Sequence, residues 1–311
     1  NNGVNNGNNG EEPAVLLVGW TFHHEGWMWR DDEIYERYVG FHSDQQALFD
    51  EAGASMTSEV ADLYSTEVER RGGAGFFTGL EDAGHSLGVH ADLGGNPARE
   101  DFDQARFVRD LTRYRLALEE TGVQVHHVSG ICSHLDWVTA AREAGFKAVT
   151  GNVAYCLASL PRDLRPDPFK DCEGAGACHQ VWPADVEDRI RPWRMKDGAT
   201  WIEDDPTGEV LLIPTSGALP CFAEERADPG ASHTQCEANQ EDVDAFSEDL
   251  AAAIAAAQPG RTNTYYVVWS MGQRPEPELM RAFFAAVQLH VEAGTVRWAT
   301  VPQMLSAFES E

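Results

Sequence analysis

Lysine is scarce in this chain. It occurs three times (Lys147, Lys170 and Lys196) among 23 basic residues, which face 51 acidic ones for a net charge of −28. A surface that negative repels nucleic acid and anionic lipid, so neither is an expected partner. Long apolar runs are also missing. Nothing approaches the roughly 20 residues a membrane-crossing helix needs, and "LAAAIAAAQ" is only a short alanine-rich helix. The six cysteines include no tight C-x-x-C pair, which argues against a structural zinc cluster.

What is present is a chain of 311 residues with 42% hydrophobic content, enough to bury a sizeable core. The first ten residues, "NNGVNNGNNG", cannot bury apolar surface, so residues 1–12 are expected to be a disordered linker. Residues 13–311 are read as one domain. Such a tether often follows the lipidated cysteine of an exported protein. The expectation is a secreted, periplasmic or cell-surface location with a lipid anchor upstream of residue 1. The even cysteine count fits an oxidising compartment. The expected pairs are Cys172–Cys178, Cys221–Cys236 and Cys132–Cys156, although connectivity is not written in a sequence.

Residues 14–20 form a continuous apolar run suited to a strand buried on both faces. A helix is expected from Ser43 or Asp44 to the stop at Gly53. Strand and helix text then alternate: "ASMTSEV", "VADLYSTEVERRGG", "HSLGV", "DFDQARFVRDLTRYRLALEETG", "VQVHHVSG", "LDWVTAAREAG" and "FKAVTGNV". Residues from about 157 to 240 break the rhythm with Pro, Asp, Gly and Cys around one apolar strand, "EVLLIPTSG". It resumes with "EDVDAFSEDLAAAIAAAQ", "TNTYYVVWS", "PELMRAFFAAVQLHVEAG" and "TVRWATVPQMLSAF". Alternation at this spacing predicts an α/β fold with a parallel sheet, open or closed into a barrel, interrupted by a disulfide-stapled, loop-rich insertion.

In such folds ligands gather at the carboxyl ends of the strands. The first strand ends in "GWTFHHEGW", which offers His23, His24 and Glu25. "HSLGV" leads to His90 and Asp92. "VQVHHVSG" leads to Ser129, with Cys132 and His134 just after, and "TYYVVWS" ends at Trp269 and Ser270. Imidazole and carboxylate together suit a divalent metal, zinc first. Glu25, His90 and His134 are the expected ligands, with Asp92 in reserve or contacting substrate. His24 or His23 would serve as acid or base. Strand alternation puts His23 on the side of Glu25. Trp27 and Trp269 are candidate platforms for sugar rings, whereas Trp20 is assigned to the core. His85 lies on the opposite face from His90. His126 and His127 sit inside a strand, and His42, His179, His233 and His290 read as surface residues.

These motifs resemble the polysaccharide deacetylase superfamily (NodB homology, carbohydrate esterase family four). "TFHHEG" stands where that family has T-F-D-D-G, and "GHSLGVHADLGG" matches its second motif through His90. "SGICSHLDWVTAAREAGFKAVTG" has the shape of the third, and "EAGTVRWATVPQML" that of the closing helix and strand. The resemblance covers residues 14–156 and 264–308. It implies a distorted (β/α)7 barrel, a divalent metal, and hydrolysis of N- or O-acetyl groups on a polysaccharide substrate. It also nominates His24 over His23. The paired aspartates are replaced here, the family's second histidine falls at Gly94, and its third-motif arginine is missing. Two functions follow: a metal-dependent carbohydrate deacetylase, or a catalytically degenerate cell-surface protein that binds glycan on the same fold.

Overall fold

The computed structural model describes residues 13–28, 31–71, 73, 75–93, 102–167, 169–172, 174, 178–228, 236–270 and 276–311. The expected linker at 1–12, Trp29, His233 and Gly94 lie outside them. In chain order the strands and α-helices are β1 (Leu16–His24), α1 (Asp32–Ala52), β2 (Thr57–Val60), α2 (Asp62–Arg70), α3 (Phe76–Asp82), β3 (Ser86–His90), α4 (Gln104–Glu119), β4 (His127–Ser129), α5 (Trp137–Glu143) and β5 (Ala148–Val149). They continue with α6 (Val186–Arg189), β6 (Trp193–Met195), β7 (Val210–Leu212), β8 (Thr215–Ala218), α7 (Phe222–Ala227), α8 (Gln240–Ala256), β9 (Asn263–Ser270), α9 (Pro277–Glu292), β10 (Val296–Trp298) and α10 (Val301–Glu309).

The sheet order is β6-β7-β5-β4-β3-β2-β1-β9-β8, with β10 also pairing β1. Every pairing is parallel except β6 with β7. Only Ile213 and Pro214 separate β7 from β8. One kinked segment therefore pairs with β5 on one side and β9 on the other, which curls the sheet into the expected distorted barrel. β7 and β8 belong to the stretch 157–240, so part of the insertion is barrel wall. The three expected cysteine pairs are the bonded ones: Cys132–Cys156, Cys172–Cys178 and Cys221–Cys236.

β1 shows why two cores form. Its side chains alternate, so Leu16, Val18, Trp20 and Phe22 enter the core between sheet and helices. There Trp20 meets Phe49 of α1 at 5.5 Å and Phe283 of α9 at 5.7 Å. Leu17 faces the other way, into a smaller core with Ala148, Leu211, Ile213 and Tyr266, plugged by Val301, Met304 and Leu305 of α10. Gly19 makes room for that plug, because a Cβ there would lie 2.6 Å from Met304 Cε.

α1 begins at Asp32, well before the expected Ser43. The Asp31 carboxylate caps it by accepting from the Ile34 N–H at 2.9 Å. Tyr35, Tyr38, His42, Gln45, Leu48 and Phe49 then form a continuous buried stripe. His42 is thus a core residue, which corrects its surface reading. Its Nε2 lies 2.8 Å from Ser58 Oγ, and burial, followed by the charge of His85, lowers its pKa to about 3.

A histidine kept neutral in the fold binds fewer protons than in the unfolded chain. Stability is therefore full above the unfolded pKa near 6.5 and declines as pH falls toward the folded value. The thermal midpoint should drop steadily below about pH 6.5, with a shallower drop in His42→Asn. Identical pH slopes for the two proteins, measured by calorimetry, would contradict this assignment.

Candidate active site

The carboxyl ends of the central strands carry a column of polar side chains above the inner core. The register pairs His23 of β1 with Glu59 of β2, and His90 of β3 with Ser129 of β4. Glu59 is fully buried. Its Oε1 accepts from the Tyr266 hydroxyl at 2.9 Å and from the Thr150 hydroxyl, while Thr21 bonds Tyr266 Oη in turn. His127 Nε2 stands 3.4 Å from Oε1, and His23 Nε2 stands 2.8 Å from Oε2. Burial alone would push the Glu59 carboxyl up. The hydrogen bonding and charge of His127 and His23 outweigh it and hold the group well below the usual carboxylate range.

Glycine shapes the floor of this column. His127 lies across β3 at Gly88, where a Cβ would come 2.1 Å from Nε2. Gly130 has φ +67°, and a Cβ there would press on the Asp92 backbone nitrogen at 2.8 Å. Asp92 itself has φ 53°, a conformation that L-residues seldom adopt outside constrained sites. Backbone bonds from the Ala91 N–H to Ser129 O (2.9 Å) and from the Leu93 N–H to Gly130 O (3.0 Å) hold it.

Above Glu59 the rings of His23 and His90 stack, with centroids 4.1 Å apart and planes within 20°. Ser129 Oγ is 2.8 Å from His90 Nδ1. That contact leaves His90 Nε2 facing Glu25, whose Oε2 is 3.7 Å away. Ser270 donates to the other Glu25 oxygen at 3.4 Å. Burial, then the charge of His23, lowers the His90 pKa, against the pull of Glu25, Asp92 and Glu59.

Among the described residues two overlapping sets have donor atoms that all lie within 4.8 Å of one another: His23, Glu59 and His90, and Glu25, His90 and Asp92. Glu59 in the deeper set is already engaged by four side chains. The outer set joins two carboxylates to one imidazole at the solvent edge, with Ser129 and Ser270 fixing its members from behind. That donor chemistry fits a divalent cation.

No protein-family profile matches the chain, and no curated protein matches it. Solved structures do. A Mycobacterium smegmatis protein assigned as a polysaccharide deacetylase superposes with TM-score 0.59 at 15% identity, covering 96% of this chain and 92% of its own. One from Pseudomonas aeruginosa PAO1 with the same assignment gives 0.56 at 12%, covering 96% and 92%. The chain has the fold of the polysaccharide deacetylases. The Puue allantoinase shares it too, with TM-score 0.57 at 12% identity and coverage of 96% and 91%. The deacetylase fold therefore carries more than one named activity, and the chemistry has to be read from the residues at its rim.

On this deacetylase fold the expected residues divide. Glu25, His90 and His23 meet at the rim, and Asp92 joins them as a potential ligand. His24 does not. It is fully buried on the helix side of β1, 4.1 Å from His42 and 5.2 Å from Tyr64 between ring centroids. Among the described residues neither of its nitrogens has a hydrogen-bond partner. Burial, then the charges of His42, His23 and His90, pushes its pKa well down. Strand alternation overrides the motif alignment here. His134 is exposed on its loop and belongs to neither donor set. Trp269 is buried against Trp20 at 6.2 Å and offers no sugar platform. Trp27 stays partly exposed, edge-on to Tyr38 at 5.1 Å.

Other members of the site were not singled out by the sequence. Glu59 ends the apolar-looking "ASMTSEV", and a carboxylate at a strand end is the signal that marks it. Tyr266, Thr150 and His127 form its buried shell. His179, read from sequence as a surface residue, is half-buried, with its pKa lowered by burial and then by the charge of His23. It also feels His90 and Glu25. Bonds from the Tyr155 N–H to Cys178 O and from the Ala154 N–H to Gln180 O, both 2.9 Å, tie its segment down. The Cys172–Cys178 disulfide adds a covalent tie.

Gly88→Ala tests the floor. The added methyl must displace the His127 ring, so the variant should lose about 1–3 kcal/mol of stability, read as a lower urea midpoint. An unchanged midpoint would show that the ring has room to move.

Proposed function

We propose that this protein is a metal-dependent hydrolase that removes acetyl groups from a polysaccharide. The observation that carries the reading is the Glu25–His90–Asp92 set, open to solvent and adjoining the His23–Glu59 pair. Those three residues would hold the metal, zinc first. A bound metal supplies a water of lowered pKa and polarises the substrate carbonyl.

The chain's own groups do the rest. Ser129 fixes the His90 ring through Nδ1, so that Nε2 points at the carboxylates. Glu59 pairs with His23 at Nε2. This fixes the ring's orientation and leaves Nδ1 to take a proton from the attacking water and return it to the departing sugar oxygen or nitrogen. His179 stands within electrostatic range of His23, His90 and Glu25. The fold's deacetylase neighbours support a carbohydrate substrate, and the three disulfides support an exported protein.

Acetate release from acetylated xylan and from N-acetylglucosamine oligomers tests this reading. His90→Ala and His23→Gln should each lose about 10²–10⁴-fold in kcat/KM, while His134→Ala should stay near wild type. Equal release by wild type and His90→Ala would remove the assigned site. Absence of release from every glycan, with metal supplied, would leave the protein a binding member of the fold.

A further inference from the structure

A second cavity, of about 540 Å³, lies away from the rim. Arg261 and Thr262, which directly precede β9, form part of its wall. Ser270 at the far end of that strand touches Glu25. β9 has eight residues, which spans about 26 Å at the usual strand rise. The cavity therefore runs along the flank of the barrel from the amino end of β9, where Trp182 and Trp193 of the insertion and Phe308 of α10 form its walls.

Its aromatic walls are held rigid. The Trp193 indole N–H donates to the Trp201 carbonyl, and the two indoles lie parallel within 9°. Trp182 packs edge-on to the buried Trp201 at 5.0 Å and to Trp193 at 6.3 Å. Both Trp182 and Trp193 keep part of their surface open. The polar wall is unbalanced. Arg191 is partly exposed on the cavity wall, and among the described residues its guanidinium has no hydrogen-bond partner, with Nε itself buried, an unfavourable state for a donor. Neighbouring acids are engaged elsewhere. Asp204 accepts from the Arg194 N–H at 3.0 Å, and Glu311 faces Arg261 at 3.8 Å and bonds the Thr262 N–H. Asp188 adds an exposed acceptor.

Preformed indole surfaces, a donor short of an acceptor and a nearby carboxylate together suit one ligand class. A pyranose presents an apolar C–H face for stacking and a rim of hydroxyls that both donate and accept. A purely apolar ligand leaves Arg191 unsatisfied, and a bare anion makes no use of the ring faces. We propose that this cavity is a second carbohydrate site, binding a neutral segment of a glycan chain while the rim works on another part of it. Its size falls within the range of ordinary ligand pockets, about 300–1,000 Å³.

Calorimetric titration of the full chain with chitohexaose and xylohexaose, alongside tryptophan fluorescence, tests this proposal. At least one hexasaccharide should bind and shift the fluorescence. Arg191→Ala and Trp182→Ala should each weaken that binding by about tenfold or more, whereas His90→Ala should leave it in place. Arg191→Ala leaves the indole cluster intact, and an unchanged thermal midpoint certifies its fold. The proposal is overturned if Arg191→Ala binds like wild type, if His90→Ala abolishes all binding, or if neither sugar binds. Missing acetate release with hexasaccharide binding retained would sink the catalytic reading and leave this one standing.

Discussion

A carboxylate buried in a protein must find compensation or lose its charge. Glu59 meets that constraint, and much of the upper barrel follows from it. Its oxygens collect side chains from β1, β4, β9 and the residue after β5. Four parts of the sheet thereby converge on one anion. His23 is drawn inward by that pair, His90 stacks on His23, and Ser129 orients His90. Remove the buried charge and the rim histidines lose the feature that fixes their planes.

The barrel wall separates this column from a different histidine cluster a few ångströms away. His24, His42 and Tyr64 lie on the helix side of β1 and β2, dry and neutral, where burial lowers the pKa of both imidazoles. Consecutive residues, His23 and His24, thus do opposite jobs. One faces a carboxylate at the solvent edge, and the other fills space among aromatics. The two-residue period of a strand makes that division, and a shift of register by one residue would exchange them.

Much of the architecture was legible in the sequence because its signals are local. Apolar runs, glycine stops and βα spacing marked the parallel barrel, and the cysteines paired as expected. α1 was seen only in part, since its first half is built on Tyr35 and Tyr38 rather than on aliphatic residues. The site was half legible. Glu25 and His90 stand at strand ends that the sequence announces. Glu59 did not stand out, because one acidic residue in "ASMTSEV" looks like a solvent-facing position until its neighbours are in place. His134 and Trp269 were misjudged for related reasons. A loop residue's direction and a tryptophan's side of the sheet depend on tertiary packing. His179 comes within electrostatic range of the rim on a segment held by the neighbouring Cys172–Cys178 disulfide and by backbone bonds, and no sequence pattern encodes that.

Glu25, His90 and Asp92 are proposed to form one cation site at the barrel mouth. Metal content after zinc loading and desalting tests it most directly, comparing wild type with the Glu25→Gln/Asp92→Asn double variant and with His134→Ala. The expected result is about one equivalent of zinc in wild type and in His134→Ala, and little in the double variant. Zinc absent from wild type, or retained in full by the double variant, would contradict the account.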